Sequence, residues 1–289
     1  MLKKRLIAIL PLFNGIVVQS INFNRYLPVG KPEVCIDFLN KWGVDEIVAI
    51  DITARRKHST VNFEQIKRVS EYCFVPLTVG GGINEIEDID RLLQCGADKI
   101  SINNNLFSNP DLISKAAKKY GDQCVVASID VTKNENGYYI YSYLSNLVTN
   151  IPLDEALRIA IGSGVGELLI NAVHRDGTYK GYDIELFNEV CSKVRVPVLA
   201  CGGAKNAYCM IDLFNKTNVS AACAGNFFHF SEHSVNTSKR LLIDNKIGIR
   251  LETHANYCLN SFDSNGRLLK KSDETLEKLL YLKIEKEII

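Results

Sequence analysis

Val75-Pro76-Leu77-Thr78-Val79-Gly80-Gly81-Gly82-Ile83 and Val196-Pro197-Val198-Leu199-Ala200-Cys201-Gly202-Gly203-Ala204 are two versions of one pattern, an apolar run that ends in glycines, at an offset of 196 − 75 = 121 residues. At the same offset Gly43-Val44-Asp45-Glu46-Ile47-Val48 falls on Gly164-Val165-Gly166-Glu167-Leu168-Leu169, and Asn104-Asn105-Leu106-Phe107 falls on Gly225-Asn226-Phe227-Phe228. Matches that share one offset without gaps mark a chain built of two similar halves.

Outward from these runs, short apolar segments alternate with longer amphipathic ones. Strands are expected at Leu6–Leu10, Glu46–Ile50, Pro76–Val79, Lys99–Ile102, Val125–Ile129, Glu167–Ile170, Pro197–Ala200 and Ala221–Ala224. Helical periodicity lies between most of them, at Asn62–Tyr72, Ile86–Cys95, Pro110–Tyr120, Leu153–Gly162 and Ile184–Val194. Strands that alternate with helices build a parallel sheet. Closed at eight strands it is a (β/α)8 barrel, and an open doubly wound sheet is the alternative. The repeat favours the α/β TIM barrel, as two half-barrels of four βα units. The barrel is expected over 1–252, with a C-terminal extension over 253–289. In the extension Asn265-Gly266 is a hairpin dipeptide and Ser272-Asp273-Glu274 a helix start. Leu276, Leu279, Leu280 and Ile284 form one helical face. That face either packs on the barrel or docks a partner.

The 289 residues are 46% hydrophobic and 23% charged, with a net charge of +1. That balance argues against disorder and against bulk electrostatic binding of nucleic acid or an acidic membrane. No apolar run reaches the roughly 18 residues of a membrane span. Lys3, Lys4 and Arg5 precede a short apolar run that resembles a signal sequence, but Pro11 and Asn14-Gly15 cut it short. The nine cysteines are scattered without a Cys-x-x-Cys pair. They read as reduced thiols in a cytoplasmic protein. His174 and His229 lack a three-ligand spacing, so neither a metal nor a cofactor is expected.

In a barrel of this kind function sits at the C-terminal ends of the strands. Gly80-Gly81-Gly82 and Ser101-Ile102-Asn103-Asn104-Asn105 follow the third and fourth strands. Gly202-Gly203 and Ala224-Gly225-Asn226 follow the seventh and eighth. Such loops expose backbone N–H groups, so each half carries one candidate phosphate cradle. Glycines needed only for tight turns are the plainer alternative. Asp130 ends the fifth strand, Asp51 the second, and Asp176-Gly177 follows the sixth. A carboxylate facing a pocket can move protons, while Asp51 and Asp176 can equally be turn or cap residues. Where the second half ends its strand in Asp130, the first half has Pro11, which carries no proton to transfer. At the opposite end Arg5, Glu46, Lys99 and Glu167 each start a strand. Their charges cancel, so a paired ring is expected: either a structural plug or a gate that a small neutral molecule can pass.

The segments Lys4-Arg5-Leu6-Ile7-Ala8, Asp51-Ile52-Thr53-Ala54, Val79-Gly80-Gly81-Gly82-Ile83, Ala97-Asp98-Lys99-Ile100-Ser101-Ile102-Asn103, Arg175-Asp176-Gly177-Thr178, Gly181-Tyr182-Asp183 and Phe228-His229-Phe230 resemble the cyclase subunit of imidazole glycerol phosphate synthase. The resemblance runs from Met1 to about Leu251. It implies a barrel beneath a glutaminase subunit, with ammonia entering at the bottom and a phosphorylated substrate bound at the top. It implies that Arg5, Glu46, Lys99 and Glu167 are the ammonia gate and that Asp98 faces the glutaminase. Two phosphate sites are implied where the cradles lie. Two features depart from the family. Pro11 replaces the first of two catalytic aspartates, of which Asp130 is the second, and Gln19 stands where a mobile loop carries a lysine. This pattern is similar to divergent paralogues that accompany a glutaminase and a sugar amidotransferase and hand ammonia onward. The readings are therefore an ammonia-conducting barrel subunit with the cyclase step disabled, a working cyclase of histidine biosynthesis, or a ribotide isomerase of the same fold.

Overall fold

A computed structural model describes residues 2–53, 61–251, 253, 255–264 and 266–278. The strands are β1 Arg5–Phe13, β2 Ile16–Ile21, β3 Arg25–Gly30, β4 Glu46–Asp51, β5 Leu77–Gly80, β6 Lys99–Ile102, β7 Val125–Asn134, β8 Gly137–Ser142, β9 Leu147–Pro152, β10 Glu167–Ala172, β11 Val198–Cys201 and β12 Ala221–Ala224. The described helices are α1 Pro32–Lys41, α2 Phe63–Glu71, α3 Ile86–Gln94, α4 Asn105–Ser108, α5 Pro110–Tyr120, α6 Leu153–Gly162, α7 Ile184–Lys193, α8 Ala207–Lys216, α9 Asn226–His229, α10 Ser234–Asp244 and α11 Asp273–Glu277.

Parallel pairing runs β1-β4-β5-β6-β7-β10-β11-β12 and returns to β1, which bonds β12 through Arg5↔Ala221 and β4 through Ile7↔Glu46. The sheet is closed, so the expected (β/α)8 barrel stands and the open sheet does not. Closure divides the apolar side chains in two. Ile7, Ile9, Val48, Val126, Leu169, Leu199, Cys201, Ala221 and Cys223 fill the tube. The larger core, including Leu6, Leu10, Ile47, Leu77, Ile100, Ile129 and Phe187, lies between strands and helices. Strand residues alternate between these two cores, as the period of two requires.

The duplication holds at the level of elements. α1, α2, α3 and α4 start at Pro32, Phe63, Ile86 and Asn105, and α6, α7, α8 and α9 start at Leu153, Ile184, Ala207 and Asn226, every pair 153 − 32 = 121 residues apart. Each half also carries an antiparallel hairpin absent from the sequence-based strand set. β2–β3 follows β1, and β8–β9 follows β7. The stretch holding Gln19, expected as a loop, is therefore a strand, with Gln19 buried and opposite Leu27. Asn14-Gly15 ends the apolar run as expected, but as a hairpin turn. Both residues have positive φ, 48° and 83°, the combination of a type I′ turn.

The extension lies along the flank of α10. The Arg240 guanidinium sits 3.5 Å from the centre of the Phe262 ring. The Tyr257 hydroxyl meets His233 Nδ1 at 2.7 Å. An antiparallel bridge, Phe262↔Leu268, encloses the position of the expected Asn265-Gly266 turn, although Asn265 is outside the described residues. Ser272 caps α11 by accepting from Thr275 N–H. Leu279, Leu280 and Ile284 of the expected apolar face lie outside the described residues, as does Ala54.

A buried ion pair fastens α10 to the barrel bottom. Lys239, 1% exposed, donates to Asp45 Oδ1 at 2.6 Å, and Asp45 Oδ2 accepts from Leu6 N–H at 2.7 Å. Burial pushes the Asp45 carboxyl up and the Lys239 ammonium down, and each partner pulls the other back. Removing one member of such a pair strands the other's charge. Lys239→Met is accordingly expected to lower the unfolding free energy by about 3 kcal/mol. Adding Asp45→Asn should recover much of that loss, both read by urea denaturation.

Candidate functional site

The C-terminal ends of the strands enclose a cavity of about 500 Å³. Its wall holds Pro11, Gly81, Gly82, Asn103, Asn104, Asp130, Asp176, Gly177, Gly202, Gly203, Ala224 and Gly225, so these residues, proposed from sequence, do come together. Asp51 does not reach the wall. Its buried carboxylate accepts from Thr53 N–H at 2.8 Å, the turn-capping arrangement that the sequence left open.

The glycine loops have a packing reason of their own. Gly81 has φ +105°, and a Cβ there would stand 2.1 Å from the Asp51 carbonyl oxygen. Its counterpart Gly202 has φ +102°, and a Cβ would stand 2.6 Å from the Ala172 carbonyl oxygen. At both places only glycine lets the chain turn against the neighbouring strand end. The same turns line the cavity, so the tight-turn and cradle readings describe one geometry.

Asp130 is buried, and its Oδ2 accepts from Asn103 Nδ2 at 2.9 Å. Asn171 lies opposite Asp130 in the β7–β10 register and also lines the cavity. Pro11 occupies the corresponding wall of the first half and offers no proton. Asp176 Oδ2 accepts from the Ser20 hydroxyl at 2.6 Å and from Phe23 N–H at 3.2 Å. Burial raises the Asp176 carboxyl above the usual carboxylate range, against the pull of these hydrogen bonds. Among the described lining residues, Asp130 and Asp176 are the charged side chains; no lysine or arginine stands there. The rest of the lining mixes aliphatic side chains such as Ile9, Ile50, Ile102 and Leu169 with polar and aromatic ones, notably Asn226, Phe23, Tyr26, Tyr143 and Tyr179. These aromatic residues come from the two hairpins and the β10–α7 connection, which no strand-end argument singled out.

At the opposite end the four expected charges form a closed ring. Arg5 meets Glu46 at 2.5 Å and Glu167 at 2.9 Å, and Lys99 meets Glu46 at 3.1 Å and Glu167 at 2.8 Å. Each carboxylate thus binds both cations. Burial works against the Arg5 charge, and the two carboxylates more than offset it. Asp98 lies on the exposed surface beside this ring, its Oδ2 accepting from Leu77 N–H at 2.8 Å.

Neither histidine near the mouth lines the cavity. His174 Nε2 meets Asp183 Oδ2 at 2.8 Å, and burial alone pushes the His229 imidazolium down to about 4. Among the described residues no group of three or more His, Cys, Asp or Glu side chains could hold a metal ion, and no helix is long and apolar enough to cross a membrane. All nine cysteines are free thiols, with Cys201 and Cys223 on the cavity floor.

A family model described as "Histidine biosynthesis protein" matches residues 5–234. A Vibrio vulnificus protein named "Putative imidazole glycerol phosphate synthase subunit hisF2" is 38% identical over 267 residues, 92% of this chain and 98% of that protein. That match is longer than the barrel and so reaches into the extension. "Imidazole glycerol phosphate synthase subunit HisF" of Streptococcus gordonii is 37% identical over 243 residues, 84% of this chain and 96% of that protein. The protein of the same name from Clostridium botulinum is 39% identical over 253 residues, 87% of this chain and 100% of that protein.

The Asp183 cluster beneath the second hairpin gives a pH prediction. Burial pushes this carboxyl up, but hydrogen bonds from His174, Leu186 N–H and Tyr138 outweigh it and hold it at about 2. A depressed pKa contributes stability that is present above the unfolded-state value and lost as pH falls through the folded one. The wild-type chain should therefore lose about 2 kcal/mol from this group between roughly pH 4 and pH 2. Urea unfolding of Asp183→Asn should show a shallower acid limb over that window.

Proposed function

The chain belongs to the histidine biosynthesis protein family, and on that premise we propose that it is the barrel subunit of a glutamine-dependent synthase. It takes ammonia from a glutaminase partner at the bottom of the barrel and delivers it through the tube to the mouth. The observation that carries this reading is a contrast between the two ends. At the bottom, all four members of a charge-neutral ring are present and paired with one another. At the mouth, one of the two positions where a proton-transferring carboxylate would stand is Pro11.

The ring supports a gate because it screens its own charges. A neutral ammonia molecule crossing it meets hydrogen-bonding groups, whereas an ammonium ion would have to shed its hydration against a net charge of zero. The apolar interior above it, Ile7, Val48, Val126, Leu169 and Leu199, offers no group that would protonate ammonia on the way. Asp98, exposed beside the ring, is the proposed contact with the glutaminase.

At the mouth, Asp130 with Asn103 retains one half of an acid–base pair, and the glycine loops at Gly81-Gly82 with Asn104 and at Gly202-Gly203 with Ala224-Gly225 offer backbone N–H groups to a phosphorylated ligand. The cyclase reading draws on these features. Against it stands Pro11, where that pair needs its second carboxylate. Onward delivery to a second enzyme, such as a sugar amidotransferase, fits this contrast better. A ribotide isomerase would need an acid near Pro11 and has no use for the ring.

Ammonium-driven turnover of the bisphosphate cyclase substrate by the purified chain tests the choice, because added ammonium removes the need for the glutaminase. Turnover by the unmodified chain should lie about 100- to 10,000-fold below that of Pro11→Asp, the usual effect of a missing proton-transfer group. Equal rates would assign the chain to histidine biosynthesis as a working cyclase. Failure of the chain to retain a glutaminase in a pull-down would remove the conduit reading altogether.

A further inference from the structure

At the mouth, Asp176 spends its hydrogen bonds on the protein itself. Asp176 Oδ2 accepts from Ser20 Oγ at 2.6 Å and from Phe23 N–H at 3.2 Å, and the Asp176 carbonyl accepts from Asn22 N–H at 3.1 Å. All three donors belong to the tip of hairpin β2–β3. On the other side of the tip, Asn226 grips Ser20 from both directions. Its Oδ1 accepts from Ser20 N–H at 3.2 Å and its Nδ2 donates to the Ser20 carbonyl at 2.7 Å. Asp176 follows β10 and Asn226 follows β12, so the hairpin that leaves β1 is held by two other strand ends.

Two further observations show that this seat is built for the hairpin. Gly177 has φ +66°, and a Cβ there would lie 2.6 Å from the Ser20 carbonyl oxygen and 2.8 Å from Ile21 Cα. Any larger residue would lift the tip. Asn22 and Phe23 are consecutive non-glycine residues with φ of 52° and 55°. Such a pair persists only where its surroundings hold it, and the bonds to both amides come from Asp176. Phe23, so placed, lines the cavity and meets Tyr141 of the second hairpin edge-to-face, with ring centres 6.2 Å apart.

We infer that Asp176 is a positioning residue which, with Asn226, latches hairpin β2–β3 across the mouth before any ligand arrives. The lid is closed by protein-to-protein hydrogen bonds, and Gln19, buried opposite Leu27, takes no part in the cavity wall. One consequence rests on the function proposed above: a small molecule that reaches the cavity from below meets a mouth partly covered by a hairpin that needs no phosphorylated substrate to hold its place.

Hydrogen–deuterium exchange of the full chain without ligand tests the latch. Amides of residues 20–27 should be protected in the wild type. Asp176→Ala should speed their exchange at least 10-fold and open trypsin cleavage after exposed Arg25, with Val79 and Ile100 in the barrel strands unchanged. Asp176→Asn keeps a carbonyl oxygen for the same two donors and should restore most of the protection, a rescue that general loosening would not give. Ser20→Ala and Asn226→Ala remove one jaw each and report the same effect if Asp176→Ala does not fold. The inference is overturned if the wild-type segment exchanges freely until inorganic phosphate is added, since the lid would then be closed by ligand. It is equally overturned if none of the variants that fold alters exchange at residues 20–27. Neither outcome touches glutaminase retention or cyclase turnover, so the proposed function stands or falls separately.

Discussion

Closure of the parallel sheet is the constraint from which the other features follow. Because β1 bonds both β4 and β12, each barrel strand sends alternate side chains into a tube with two ends. An interior position at a strand start can only face the bottom, and one at a strand end can only face the mouth. Arg5, Ile7, Ile9 and Pro11 on β1 thus supply in order a ring member, two packing layers and a cavity wall. The same spacing on β10 places Glu167, Leu169 and Asn171. The chemistry of the two ends is separated by little more than the length of one strand, yet the packed layers keep their charges apart.

Duplication explains why the halves are alike in frame and unlike at the mouth. Four pairs of helix starts keep a constant offset because insertions inside a packed βα unit would break the register of both neighbours. The strand ends carry no such restraint. Asp130 and Pro11 therefore differ without disturbing the barrel, and each hairpin has acquired its own fastening: Asp176 and Asn226 for β2–β3, and Tyr138 through Asp183 and His174 for β8–β9.

Much of this was legible in the sequence because it is periodic. Strand and helix bounds such as Lys99–Ile102, Pro110–Tyr120 and Leu153–Gly162 coincide with the apolar pattern, since burial on one face fixes both. The ring was legible because a charged residue at the start of an otherwise apolar strand has few places to go. The hairpins were not. β3 and β9 hold no buried residue and lack a clean alternation, and Asn14-Gly15 marks a break in an apolar run as readily as a turn between strands. Without the hairpins the sequence pattern gives no sign that their aromatic residues line a cavity, or that Asp176 has a partner 156 residues away. Asn226 stood inside a repeated segment, but nothing in the repeat tells which side chain a distant hairpin will meet. Asp51 shows the reverse difficulty, because a carboxylate at a strand end looks the same in sequence whether it faces a cavity or caps a turn.

The bottom ring also has a shape in charge. Going round it, Arg5, Glu46, Lys99 and Glu167 alternate in sign, each touching two neighbours of the opposite sign. Such a square has neither net charge nor an appreciable dipole. Its field is a quadrupole, which dies away with distance far faster than that of any single ion. A protein approaching this end from solution feels almost nothing of the ring until contact, so orientation at long range falls to the charges around it, Lys3, Lys4 and Asp98 among them. The ring is electrically silent outside and strongly polar within, so its charges act on what touches them and not on what approaches.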